Sequence, residues 1–175
     1  MFSRLTTAVL ALALGGLVAS PAAHGWSWPV SGAVLRGFDF GGGPYTAEGH
    51  RGLDVAAVSG APVLAPAGGQ VAFAGSVGAN GRTLSLRTAD GWVVTLTHLG
   101  SIAVAVGEGV AEGEAVATVG PSGEAEHDRP YVHLGIRRAD DPRGYVDPLT
   151  LLPAQAGPAP PPAPPEPVAE ARAAT

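Results

Sequence analysis

The sequence contains no cysteine. That excludes disulfides, thiolate metal ligands, a cysteine nucleophile and a lipidated N-terminal cysteine. A small domain without disulfides must then rely on its apolar core. Lysine is missing too: all ten basic residues are arginine. Together with heavy use of alanine, glycine and proline, this points to a GC-rich genome rather than to a function. Charge is scarce, with a net value of −5 and no basic stripe, so nucleic acid is not an expected partner. Long apolar runs are absent except one, at residues 5–19.

That run follows Arg4 and precedes small residues, which is the pattern of a secretory signal. Residues 1–25 are therefore expected to be a signal peptide, cut after Ala22, Ala23 or Gly25. An uncleaved anchor is the alternative, but the run is short for a membrane span. The mature chain is expected to carry no integral membrane segment and to act outside the cytoplasm. At the other end, residues 154–175 form a Pro/Ala-rich tail that cannot bury a core and should be disordered or extended. The folded domain is expected over residues 26–153, as a monomer.

Within that span, glycine is frequent and short alternating runs lie between turn signals, the pattern of an all-β domain. The candidate strands are GAVLRGFDF, HRGLDVAA, APVLAP, GQVAFAG, RTLSLRT, WVVTLTH, AVATVG and YVHLGIR. No long amphipathic helix is evident. Asn80-Gly81 and Asp90-Gly91 are hairpin turn pairs between neighbouring runs. A weak internal echo links APVLAPAGGQVAFAGSVG with VGEGVAEGEAVATVGPSG, as two similar sheet-forming hairpins would.

The chemistry concentrates in a few residues. On a strand, His50, Gly52 and Asp54 share one face and Leu53 and Val55 the other. Imidazole nitrogen and carboxylate oxygen are both good zinc ligands, and Gly52 leaves space between them. Alone, the pair reads more readily as a surface histidine near an aspartate. In RPYVHLGIR, Val132, Leu134 and Ile136 face a core, while Tyr131, His133 and Gly135 face the other way. His133 thus adds a third candidate ligand. Two imidazoles and one carboxylate leave zinc a fourth, open position, as catalytic sites do. Zinc there would lower the pKa of its water to about 7. Strict alternation in WVVTLTH puts His98 on the apolar face with Trp92, Val94 and Leu96, unless a bulge turns it.

These motifs resemble the lysostaphin-type (LytM-like) zinc endopeptidases, which cut the peptide part of bacterial peptidoglycan. His50 to Asp54 match the family's HxxxD motif. Thr97-His98-Leu99 resembles its YxHL motif without the first tyrosine. Tyr131-Val132-His133 resembles its HxH motif with the first histidine replaced. The two echo segments and Asp147-Pro148 resemble the connecting segments, and the echo then corresponds to the duplicated hairpin of a barrel-sandwich type fold. The resemblance covers residues 26–153. It implies one zinc ion held by His50, Asp54 and His133, with His98 assisting catalysis and peptidoglycan peptides as partners. Two departures stand out: residues 124–130 are longer than the usual segment, and Gly135-Ile136 replaces an aromatic-acidic pair.

The substituted position, Tyr131, limits the chemistry. A neutral histidine accepts a proton near pH 7, whereas a tyrosine with a pKa near 10 does not. A phenol still donates a hydrogen bond to an oxyanion. Tyr131 is thus a candidate catalytic residue for charge stabilisation, and His98 for the proton. His127 is another imidazole in the altered loop, but between Glu126 and Asp128 a solvated side chain is the expectation. Three readings follow: an active zinc endopeptidase, a weak or silent relative that binds peptidoglycan or regulates another wall hydrolase, and a metal-free β-domain.

Overall fold

The computed structural model describes residues 25–43 and 49–155. The expected signal peptide, apart from Gly25, and the expected tail beyond Gln155 lie outside the described residues. The strands are β1 (Val34–Arg36), β2 (Leu53–Ala56), β3 (Pro62–Leu64), β4 (Gly69–Val77), β5 (Gly81–Arg87), β6 (Trp92–Ile102), β7 (Gly109–Val110), β8 (Ala115–Val119), β9 (Tyr131–Arg138) and β10 (Tyr145–Val146). Among the described residues the only helical pieces are single 3-10 turns at Gly78–Asn80 and Pro148–Thr150. No helix there is long and apolar enough to cross a membrane. The all-β expectation therefore holds, and each of the eight candidate runs contains a strand. The unforeseen strands, β7 and β10, have two residues each, too few for an alternating pattern to register.

All pairings are antiparallel. The main path is β1-β2-β9-β6-β5-β4-β7, with β10 added on β9 and β3 and β8 joined to it through β6. Asn80-Gly81 and Asp90-Gly91 close the β4-β5 and β5-β6 hairpins. The two echo segments pair with each other: β3 of the first with β8 of the second, and β4 of the first with β7 of the second.

Period-two alternation decides the core. Leu53 and Val55 of β2, Leu84 and Leu86 of β5, Val94 and Leu96 of β6, and Val132, Leu134 and Ile136 of β9 are all fully buried. In register, Leu53 stands opposite Leu134 and Val55 opposite Val132, so Asp54 must stand opposite His133 on the other face. Packing on one face thus sets the chemistry on the other. Each such leucine gains roughly 1.5–3 kcal/mol by leaving water.

Leu134 sits between β2 and β6, opposite Leu53 and Leu96. Leu134→Ala should cost about 2–5 kcal/mol, read as a lower denaturant midpoint at unchanged slope.

Candidate metal centre

His50 is held before β2 begins. Its backbone exchanges two hydrogen bonds with Asp39, 2.6 and 2.8 Å long. Its Nδ1–H donates to the Gly37 carbonyl at 2.7 Å. That bond leaves the Nε2 lone pair free to point inward. Asp54 projects from β2 and His133 from β9, directly opposite in register. Asp54 Oδ1 lies 3.1 Å from His50 Nε2 and 2.8 Å from His133 Nδ1, and those two nitrogens are 3.1 Å apart. One ligand atom from each of the three residues falls in a group spanning less than 4.8 Å. These are the three ligand positions expected from the sequence.

The donor set calls for a cation. His50 Nε2 and Asp54 Oδ1 are both acceptors once His50 Nδ1 carries the ring proton, yet they face each other at 3.1 Å. A shared positive centre, a proton or a metal ion, resolves that clash. The protonation equilibria agree. Burial works against charge on His50, but its bonds to Asp54 and the Gly37 carbonyl outweigh this and raise its pKa above the ordinary value. Burial likewise opposes the Asp54 carboxylate. Hydrogen bonds from His133, His50 and His127 overcome it and hold its pKa far below the carboxylate range.

Gly52 is a position of close approach. A Cβ there would collide with the Leu134 carbonyl oxygen and come within 2.7 Å of the His133 ring. Gly52 therefore makes room for the His133 imidazole.

His98 departs from strict alternation. Against Arg82 to Leu84 on β5, β6 places Leu96 to Leu99, one residue more. His98 occupies this bulge with φ +61°, an uncommon conformation for a residue with a side chain. The twist takes it off the core face and brings it to Tyr131. Tyr131 Oη and His98 Nε2 are 3.1 Å apart, and His98 Nδ1–H donates to the Ser122 carbonyl at 3.0 Å. His98 Nε2 is thus the acceptor and the phenol the donor. The Glu126 amide in turn donates to Tyr131 Oη at 3.2 Å. Burial raises the phenol pKa above 10, the nearby Glu126 and Asp54 charges add to this, and the Glu126 amide offsets part of it.

Residues 120–130 seat this network. Gly123 has φ +74°, and a Cβ there would run into the Ala79 carbonyl oxygen. The loop can therefore lie against the β4-β5 turn and present Ser122 to His98. His127 is not solvated, contrary to the sequence expectation: its Nε2 lies 2.9 Å from Asp54 Oδ2. The acidic neighbours misled because Glu126 turns away to pair with Arg36 at 2.6 Å. The usable signal was position, four residues ahead of Tyr131 in a loop that must lead into the ligand-bearing strand. The Gly37 carbonyl left no sequence signal, since any residue carries one. A cavity of about 230 Å³, lined by His98, Ser122, His127, Pro130 and Tyr131 among others, lies on the side of the site formed by the loop and the histidine–tyrosine pair.

An antiparallel β-fold with two imidazoles and a carboxylate converging beside a histidine–tyrosine pair has the form of a metallopeptidase domain. The chain belongs to peptidase family M23, whose model matches residues 48–148. It is similar to "Lipoprotein NlpD/LppB homolog" of Pseudomonas aeruginosa, 36% identical over 138 residues, or 78% of this chain and 43% of that one. It is also similar to "Murein hydrolase activator NlpD" of Escherichia coli, 28% identical over 129 residues, or 73% of this chain and 31% of that one. The chain therefore spans less than half the length of either relative. In fold it resembles the catalytic domain of lysostaphin from Staphylococcus simulans, with a TM-score of 0.57, 24% identity, and coverage of 66% of this chain and 87% of that one.

The raised phenol pKa gives a signed expectation. The folded protein keeps the Tyr131 proton longer than the unfolded chain, so this contribution to stability is complete below pH about 10 and is lost as pH rises through the folded value. An ultraviolet difference titration should show a tyrosine ionising above the ordinary value, and Tyr131→Phe should abolish that phase.

Proposed function

We propose that the protein is an extracytoplasmic zinc metalloendopeptidase that hydrolyses peptide bonds in bacterial peptidoglycan. The observation that carries this is the convergence of His50 Nε2, Asp54 Oδ1 and His133 Nδ1 on one point. His50, Asp54 and His133 would hold one zinc ion. Zinc supplies Lewis acidity toward a peptide carbonyl and its attacking water.

The chain's own residues handle the rest. At rest, the Tyr131 O–H is donated to His98 Nε2. When negative charge develops on the substrate oxygen, the phenol turns its hydrogen bond to that oxygen. The same movement frees His98 Nε2 to accept the proton of the attacking water. His98 then returns the proton to the leaving amine. Its Nδ1–H bond to Ser122 holds the ring and tautomer through both transfers. The adjoining cavity is where the peptide would lie. The names of the relatives, a lipoprotein and a murein hydrolase activator, support a location outside the cytoplasm and a cell-wall partner.

A second reading is favoured by one feature of the same network. The resting Tyr131–His98 bond occupies the lone pair that a base requires. If it does not open, the domain binds peptidoglycan or regulates another hydrolase, as the name of the Escherichia coli relative describes for that protein.

The two readings separate on purified peptidoglycan. The enzyme should release new amino groups, and His98→Ala should reduce release by about 100-fold or more, the scale of general acid–base catalysis. Asp54→Ala should abolish both release and zinc retention. No release at any pH or metal supplement, with zinc retained, supports the silent reading. Tyr131→His then reports on the cause: a large gain identifies the tyrosine as the defect.

A further inference from the structure

Loop 120–130 brings a fourth imidazole to the site, outside the three converging donors. His127 Nε2 is 2.9 Å from Asp54 Oδ2, while Asp54 Oδ1 faces His50 and His133. An ionised carboxylate only accepts, so the proton lies on His127 Nε2. The two oxygens of one carboxylate are thus divided, one toward the ligand nitrogens and one toward the loop. His127 Nε2 is not among the ligand atoms that cluster within 4.8 Å.

The imidazole is delivered by a fastened segment. Ser122 Oγ accepts the Arg82 amide at 2.8 Å, and the Glu124 amide donates to the Ala79 carbonyl at 2.7 Å. Glu126 pairs with Arg36 on β1, and its amide bonds Tyr131 Oη. The His127 ring then packs edge-on against Tyr131, with centroids 4.7 Å apart, and its side chain keeps only 20% exposure. A group held this way can fix the rotation of its partner carboxylate, which a solvated side chain cannot.

We propose that His127 is a positioning residue of the metal centre: its Nε2–H engages the outer oxygen of Asp54 so that the inner oxygen alone is offered to the metal. The proposal rests on reading His50, Asp54 and His133 as metal ligands. His127 acts through Asp54 and does not itself bind the ion.

The test compares the full chain with His127→Ala and His127→Gln. Zinc affinity is measured by competition with a chromophoric chelator, cobalt(II) spectra report the ligand set, and melting of the metal-free forms reports folding. His127→Ala should weaken zinc binding by about 10- to 100-fold. His127→Gln, which keeps a donor at similar reach, should recover most of that loss. The cobalt bands of His127→Gln should keep the parent's positions. Affinity of His127→Ala within about twofold of the parent, far below that range, overturns the proposal. So does His127→Gln binding as weakly as alanine, because the loss then does not follow the hydrogen bond. A shifted cobalt spectrum in His127→Gln, which keeps a donor but not the imidazole, makes the residue a ligand and also overturns it. Should His127→Ala lower the metal-free melting point, the glutamine variant decides the matter. A parent protein with no zinc affinity defeats the metal reading itself, and this proposal with it, which is distinct from a parent that binds tightly with insensitive variants.

Discussion

A carboxylate withdrawn from water organises this molecule. The Asp54 side chain keeps 2% of its exposure, and it stays ionised because three imidazoles surround it. Burying such a charge without partners costs several kcal/mol. The partners come from separate parts of the chain: His50 from the segment before β2, His133 from β9, and His127 from the loop before β9. Each needs its own support. The Gly37 carbonyl orients His50, Gly52 leaves room for the His133 ring, and the Arg36–Glu126 pair ties down the loop that bears His127. The polar face is therefore as constrained as the apolar face beneath it.

Much of this was legible in the residue pattern, and for a definable reason. Where a strand is regular, side-chain parity follows from the chain itself. Val132, Leu134 and Ile136 went to the core, and Tyr131 and His133 to the site, as alternation requires. Parity failed at His98, where β6 carries one extra residue against β5 and the backbone passes through positive φ. A bulge leaves little trace in composition, because its cause is the pairing of a neighbouring strand. His127 was obscured differently. Its local context is acidic and polar, and only the path of the loop across Asp54 changes what that context means. The short strands β7 and β10 depend on pairing rather than on propensity.

Tyr131 illustrates how a phenol completes a polar network beside the metal centre. The phenol is satisfied on both sides, accepting from the Glu126 amide and donating to His98. His98 passes the polarity on to the Ser122 carbonyl. The chain of donors has one direction only, since an amide cannot accept and a carbonyl cannot donate. The position is thus filled by a residue whose neighbours are arranged for it, and the altered loop supplies one of those neighbours.

The pairing of β2 with β9 has a kinetic consequence. The β4-β5 and β5-β6 hairpins join neighbours in sequence and can close early. Asp54 and His133 are 79 residues apart, so their strands meet only after the intervening chain has found its shape. Non-local closure is the slow part of β-protein folding. The donor atoms therefore come together only through a non-local pairing, and a chain that lacks it presents scattered histidines rather than a converged cluster. A metal held by these donors would bind only the paired form and so stabilise the β2-β9 seam by mass action.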